Sequence, residues 1–147
     1  NYRMTEYEAA IGIKELERLN SNNMLRKTKM KRIFEELNKY KEVYWFPKYP
    51  KYDYDHCYFH FPIIFKNRKI LERFISSAKD YGISIWKRYW EPLYKQPCIC
   101  NDYKKIRLKN AEKYAPLVCS LPCHPHITRE ELSIIIKFIN YFGEENQ

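Results

Sequence analysis

Residues 57–82 read CYFHFPIIFKNRKILERFISSAKDYG. The first nine residues, Cys57 to Phe65, alternate so that Phe59, Phe61, Ile63 and Phe65 share one face. That period of two, in a run rich in aromatic and β-branched residues, predicts a strand. Pro62 has no N–H to donate, so the pattern further predicts an edge strand or a bulge at that point. Asn67 then stands where a side-chain oxygen can cap a helix. The helix runs through Tyr81 with Ile70, Leu71, Phe74, Ile75 and Ala78 turned inward. Gly82 follows, free to take the left-handed conformation that ends helices.

Working outward, the same unit recurs. Thr5-Glu6-Tyr7-Glu8 is a capping box, and Ala9, Ile13, Leu16 and Leu19 follow it at helical spacing. Asn20-Ser21-Asn22-Asn23 interrupts, after which Met30, Ile33, Leu37 and Tyr40 resume close to the same stripe. Propensity predicts two helices, 5–19 and 24–41, while the phase also fits one long helix. The basic run from Arg26 to Arg32 reads as a solvated helix face. Residues 43–56, with Pro47 and Pro50 among tyrosines and lysines, read as an irregular connection. Beyond Gly82, Ile83–Trp86 predicts a short strand, and 87–106 a long Pro- and aromatic-containing loop. A short helix at 108–114 precedes a strand at 117–121. A second capping box, Thr128-Arg129-Glu130-Glu131, has Ile127 and Leu132 placed as a hydrophobic staple. It opens a helix that buries Leu132, Ile135, Ile136 and Ile139 and is expected to fray after Gly143. One helix followed by three strand–helix units predicts a small sheet with helices packed on it, of α+β or α/β type.

The 147 residues suffice for one domain with its own core, without disulfides or metal. The first residue is Asn1 and not Met, so the sequence is expected to be processed or excised from a longer chain. Hydrophobic residues make up 45% and charged residues 31%, a balance that excludes wholesale disorder. The three glycines, Gly12, Gly82 and Gly143, are too scattered for a phosphate-cradling loop or a dinucleotide fingerprint. No run reaches the length of a membrane span, and the opening residues lack the apolar stretch of a signal peptide. Five cysteines, an odd number, read as reduced thiols in a cytoplasmic protein. Cys98-Ile99-Cys100 and Cys119 to Cys123, with His56 or His126, can be drawn as a zinc site. Their spacing departs from known zinc frameworks, and small buried hydrophobes is the expected role.

Taken singly, the polar residues carry no catalytic constellation. His124-Pro125-His126 ahead of a helix N-terminus fits either an anion site or a turn into the helix. Asp53 and Asp55 lie among tyrosines in what reads as a solvated turn. Trp86, Arg88, Tyr89, Trp90 and Tyr94 cluster in the long loop, where they can stack on a sugar or base, or pack the loop down. The net charge of +9 permits an anionic partner. A basic binding module for nucleic acid or another polyanion is therefore the alternative reading, although no helix-turn-helix is present and the basic residues are dispersed among acids.

A set of short segments resembles, in order, the DegT/DnrJ/EryC1/StrS family of pyridoxal-phosphate-dependent sugar aminotransferases. They begin with Asn1-Tyr2-Arg3-Met4-Thr5-Glu6, Ala9-Ala10-Ile11-Gly12-Ile13 and Leu16-Glu17-Arg18-Leu19. Tyr58-Phe59-His60-Phe61-Pro62-Ile63, Tyr81-Gly82-Ile83 and Pro92-Leu93-Tyr94-Lys95-Gln96-Pro97 continue the series. Asn110-Ala111-Glu112 and Ser120 to Thr128 complete it. The resemblance implies the small C-terminal domain of the type I aminotransferase fold, an α+β unit. It would have a long N-terminal helix, then a largely antiparallel three- to four-stranded sheet covered by helices. Residues 1–41 would form the linking helix or helix pair, and 57–142 the sheet-and-helix body of a single domain spanning 1–147.

The resemblance further implies amino transfer from glutamate or a similar donor, through pyridoxal phosphate, to a keto group on a nucleotide-linked sugar. Its partners would be a large domain carrying the cofactor lysine upstream of Asn1, a second subunit of a homodimer, and the nucleotide-sugar substrate. No lysine here stands in that motif, so no catalytic residue is expected and the chain alone is expected to be inactive. Asn1 and Arg3 match the segment that reaches the cofactor phosphate of the other subunit, a role suited to charge-assisted donors. Tyr94 replaces the His of a Pro-Leu-His-x-Gln-Pro segment beside the sugar site. It keeps a hydrogen-bonding hydroxyl but does not titrate near neutrality. Arg88 and Trp90 are its neighbours there, a cation for a diphosphate and an aromatic face for a sugar or base.

Overall fold

The computed structural model describes residues 3–46, 56–87, 91–99 and 105–147. Asn1, Asp53, Asp55, Arg88, Tyr89, Trp90 and Cys100 lie outside them.

The Thr5 capping box forms as the sequence predicts. Thr5 Oγ1 accepts from the Glu8 N–H at 3.3 Å and Glu8 Oε2 accepts from the Thr5 N–H at 2.8 Å. It opens a single helix, α1, over Glu6–Leu37, extended by a 3-10 turn at Asn38–Tyr40. Two separate helices are therefore not seen. The polar run 20–23 stays helical because Ser21 turns its hydroxyl back onto the Arg18 carbonyl at 2.8 Å and Asn23 accepts from Arg26 at 2.9 Å. These local bonds satisfy side chains that would otherwise compete for the backbone. No described residue before Met30 is buried, whereas Met30, Ile33, Leu37 and Tyr40 all are.

Three strands follow in an antiparallel sheet of order β1-β2-β3. β1 is Tyr44–Trp45, inside the stretch read as irregular; β2 is Phe61–Phe65 and β3 is Val118–Leu121. The strand thus starts later than the alternation predicts. Tyr58 takes a left-handed φ of +50°, which breaks the extended path ahead of Phe61, and Phe59 ends exposed. β2 is also the middle strand rather than an edge, and it holds no bulge in the pairing recorded. Pro62 is tolerated there for a definable reason. It pairs with Ser120, whose N–H and C=O both point the other way, to Trp86. Pro62–Ser120 is therefore a non-hydrogen-bonded pair, and the missing N–H faces the side of β1, which ends at Trp45 opposite Ile64. Ile83–Trp86 does not form the expected strand. It reaches β3 through one antiparallel bridge, Trp86 to Ser120.

α2 (Arg68–Asp80) begins at Asn67, whose Oδ1 accepts from the Ile70 N–H at 3.0 Å, and Gly82 follows at φ +69°. Leu71, Phe74 and Ala78 are buried, with Ile70 and Ile75 partly so. The short α3 (Lys109–Tyr114) leads through a 3-10 turn into β3. α4 (Arg129–Asn146) starts at the predicted Thr128 box with Ile127 and Leu132 both buried. It does not fray at Gly143. That glycine is buried inside the helix, where the Tyr40 ring lies against it.

One face of the sheet, carrying Tyr44, Phe61, Ile63, Phe65, Cys119 and Leu121, joins α2, α4 and the last turns of α1 in one core. Phe74 stands at its centre, with its ring 4.8 to 5.9 Å from those of Phe138, Phe65, Phe142 and Tyr44. The Tyr44 hydroxyl donates to the Ile139 carbonyl at 3.0 Å, which lets a phenol be buried without an orphaned polar atom. On the opposite face Trp45 stacks on Tyr114. Among the described residues no helix is long and apolar enough to cross a membrane.

Candidate functional site

Of the residues singled out for binding, Arg3 and Tyr94 are described. Arg3 is exposed, two residues ahead of the Thr5 cap. The helix terminus behind it offers little to an anion. The capping box already engages first-turn donors, and Glu6 and Glu8 place negative charge there.

Tyr94 lies in the 3-10 turn Leu93–Lys95 and is 9% exposed. Its hydroxyl donates to Glu112 Oε1 at 2.6 Å and accepts from the Leu108 N–H at 3.3 Å, while Lys95 Nζ stands 3.2 Å from the same carboxylate. The Tyr94 hydrogen bond, then that of Lys95 and the charges of Lys95 and Arg107, hold the Glu112 carboxyl below its ordinary range. The phenol thus pins the loop segment 91–99 to the start of α3. The structure brings Tyr94 together with Glu112 and not with Arg3.

A second feature was not foreseen. A pocket of about 560 Å³ opens between Gly82–Trp86, the exit of β3 and the start of α4, with Arg26 of α1 on its wall. Leu121, Ile127 and Ile135 are buried in its lining, and Phe59 and Trp86 stand exposed on it, at 69% and 52%. His60, Cys123, His124 and Glu131 are its other polar groups of note. Glu131 is occupied in the cap, accepting from the Thr128 N–H at 2.7 Å. Cys123 donates to the Phe59 carbonyl at 3.2 Å, and burial pushes its thiol pKa up. Cys119 is buried in the core, with its pKa also raised by desolvation. Neither is a poised nucleophile. Lys29 Nζ hydrogen-bonds the Pro125 carbonyl, tying α1 to the turn before α4. His124-Pro125-His126 accordingly shapes that turn, and the α4 terminus is capped and acidic. Among the described residues no three His, Cys, Asp or Glu side chains gather as metal ligands. The pocket escaped local patterning because it needs the Trp86–Ser120 bridge. Its sequence signal is that three of the family-like segments, Tyr58 to Ile63, Tyr81-Gly82-Ile83 and Ser120 to Thr128, contribute to its lining.

Comparison with known proteins settles the kinship. The model of the DegT/DnrJ/EryC1/StrS aminotransferase family matches residues 1–140. The chain belongs to that family. A curated relative, 3-oxo-glucose-6-phosphate:glutamate aminotransferase of Bacillus subtilis (strain 168), is 25% identical over 133 residues, covering 89% of this chain and 30% of its own length. Among solved structures, the aminotransferase from Psychrobacter cryohalolentis superposes with a TM-score of 0.85 at 19% identity, over 99% of this chain and 40% of that one. NtdA of Bacillus subtilis, solved with bound cofactor PMP, gives 0.82 at 23% identity, over 97% and 33%. The fold is thus the α+β arrangement that the sequence resemblance implies: a long helix, an antiparallel three-stranded sheet and covering helices. The chain spans about a third of the length of the curated relative it matches. The family is PLP-dependent, and this chain corresponds to a region of its relatives.

Proposed function

We propose that this chain is the small domain of an enzyme that moves an amino group from glutamate, or a similar amino acid, to a keto group of a nucleotide-linked sugar. The lysine that holds the cofactor would belong to a large domain outside these 147 residues, and the enzyme would work as a homodimer. The observation that carries the reading is the family match over 1–140 combined with coverage of only 30–40% of the relatives' lengths. The B. subtilis relative, named for a keto sugar phosphate and glutamate, supports a keto sugar as acceptor and glutamate as donor, while the nucleotide link rests on the family resemblance alone.

When bound, pyridoxal phosphate supplies the electron sink for the substrate carbanion. Arg3 would offer a guanidinium to the cofactor phosphate of the other subunit, as its exposed place ahead of α1 allows. Asn1 adds a neutral donor. The described residues fit one wall of a phosphate site and not a closed cradle. Arg88 would pair with the substrate diphosphate and Trp90 would stack on sugar or base. Tyr94, with its hydroxyl committed to Glu112, acts on the substrate side by holding this segment in shape.

The test is reconstitution. The 147-residue chain alone should show neither cofactor absorbance nor amino transfer, and adding a polypeptide with the lysine-bearing large domain should restore both. A stable lysine–cofactor adduct on the isolated chain would overturn the division of roles.

A further inference from the structure

We infer that the pocket between Gly82–Trp86, the exit of β3 and the start of α4 is a binding site for a nucleoside phosphate, with Trp86 and Phe59 taking the base and Arg26 the phosphate. Its volume of about 560 Å³ falls in the ordinary range of small-molecule sites, about 300–1,000 Å³. The floor is aliphatic, with Leu121, Ile127 and Ile135 buried. Two large rings from different segments nevertheless stand exposed on it. Phe59 is carried outward by the left-handed turn at Tyr58, and the His60 ring meets it at a centroid distance of 4.6 Å. Trp86 is fixed by its backbone bridge to Ser120, which sets the place of the indole without burying it. A flat ligand gives such rings a face to stack on. Beside Trp86, Ser84 also lines the pocket, in a span whose ladder contact is confined to Trp86. Its peptide groups therefore have no strand partner and are placed to meet the hydrogen-bonding edge of a base.

Charge selects an anion for the other end of the ligand. Among the described residues Glu131 is the one acid on the wall, and it is spent on the Thr128 N–H. Arg26 is the cation, and its charge is felt at Cys123 by the β3 exit. Asn23 Oδ1 accepts one of its guanidinium N–H groups at 2.9 Å, which steadies the fork and leaves other donors for a phosphate. Lys29, one turn along α1, is tied to the Pro125 carbonyl, so Arg26 is held over the pocket. An aliphatic ligand would leave Arg26 unmatched, and a bare phosphate would leave the rings unmatched. A planar base carrying a phosphate answers both. Binding itself stands on this chemistry; only the substrate as its source rests on the enzymatic reading above. The nucleotide end of a sugar nucleotide and a free nucleotide acting as an effector present the same groups.

The test is calorimetric titration of the 147-residue chain with uridine and guanosine monophosphates, their nucleosides and inorganic phosphate. At least one nucleotide should bind about fivefold or more tighter than its nucleoside, and phosphate alone should give no saturable heat. Arg26→Gln should erase the preference for the nucleotide and spare the nucleoside. Trp86→Ala should weaken both about tenfold or more, while Trp86→Phe, which keeps a ring, should stay within about threefold of wild type. Lys31→Gln, on the same helix but off the wall, should change neither affinity. No binding of either nucleotide, or binding that Arg26→Gln and Trp86→Ala leave intact, overturns the site. In the enzyme reassembled with the large-domain polypeptide, inhibition by the nucleotide that saturating sugar substrate relieves marks the substrate as its source. An effect that the substrate does not relieve marks a free nucleotide. Amino transfer to a keto sugar phosphate, with no nucleotide bound to the chain, would sink the pocket and leave the enzymatic reading standing. Nucleotide binding without restored amino transfer would do the reverse.

Discussion

The Tyr94 hydroxyl joins three parts of the chain: its own turn, the Leu108 N–H and the Glu112 carboxylate. Replacing Tyr94 by Phe leaves the ring and removes the link, and should lower the melting temperature at pH 7 by roughly 2–4 °C. The pH dependence has a definite sign. Glu112 has a folded pKa below its ordinary value of 4.5, so its contribution is present above that value and fades as the pH falls through the lowered one. The gap between wild type and Tyr94→Phe in thermal melts should therefore narrow as the pH falls below 4.5. Gly143 gives a second residue-level expectation. A Cβ there would lie 2.5 Å from Tyr40 Cγ, inside a buried ring contact. Gly143→Ala gains about 1 kcal/mol of helix propensity but overpacks by about 1–3 kcal/mol. The expected net result is a lower urea midpoint, opposite to what helix propensity alone predicts. The caps at Thr5, Asn67 and Thr128 were legible in the sequence because each involves residues only three apart. The burial of Gly143 was not, because it depends on a ring about a hundred positions away.

At the scale of elements, the two capping boxes are chemically alike but sit in unlike surroundings. Thr128→Ala should cost about 1 kcal/mol in global unfolding, since α4 is buried along one whole side. Thr5→Ala should leave the global midpoint almost unchanged, because the first turns of α1 contribute no core contact. It should instead speed amide exchange over the first turns of α1, which hydrogen exchange read by mass spectrometry resolves. Helices were easier to read than strands for a physical reason. Leu71, Phe74 and Ala78 announce α2 by spacing alone, whereas β1 is two residues long and exists only through its pairing with Ile64 and Phe65. The four-residue span 83–86 has strand composition, yet only Trp86 finds a partner. Composition favours extension; a ladder needs a neighbour in register.

For the whole molecule, stability is concentrated in one aromatic cluster. Phe74 touches four rings from the sheet and α4, so Phe74→Ala should remove about 3–5 kcal/mol. Against a typical total of about 5–15 kcal/mol that is a large share, and the variant's melting temperature by circular dichroism should fall by roughly 6–20 °C. The candidate site was less legible than the fold because it is assembled from distant segments. Tyr94 departs from a family motif and its partner Glu112 stands in another family-like segment, but no local spacing joins the two. The pocket residues Arg26, Phe59 and His124 come from three separate elements. The continuous α1 carries a mechanical consequence. Its 32 residues make a rod about 48 Å long, with Arg3 at one end and the sheet attached at the other. A bend of about 5° at the Asn20–Asn23 stretch would swing one end by about 2 Å relative to the other, more than the roughly 0.5–1 Å within which a reacting geometry must be held. The straightness of that lever is thus as much a condition for aligning the two ends as any contact made at either.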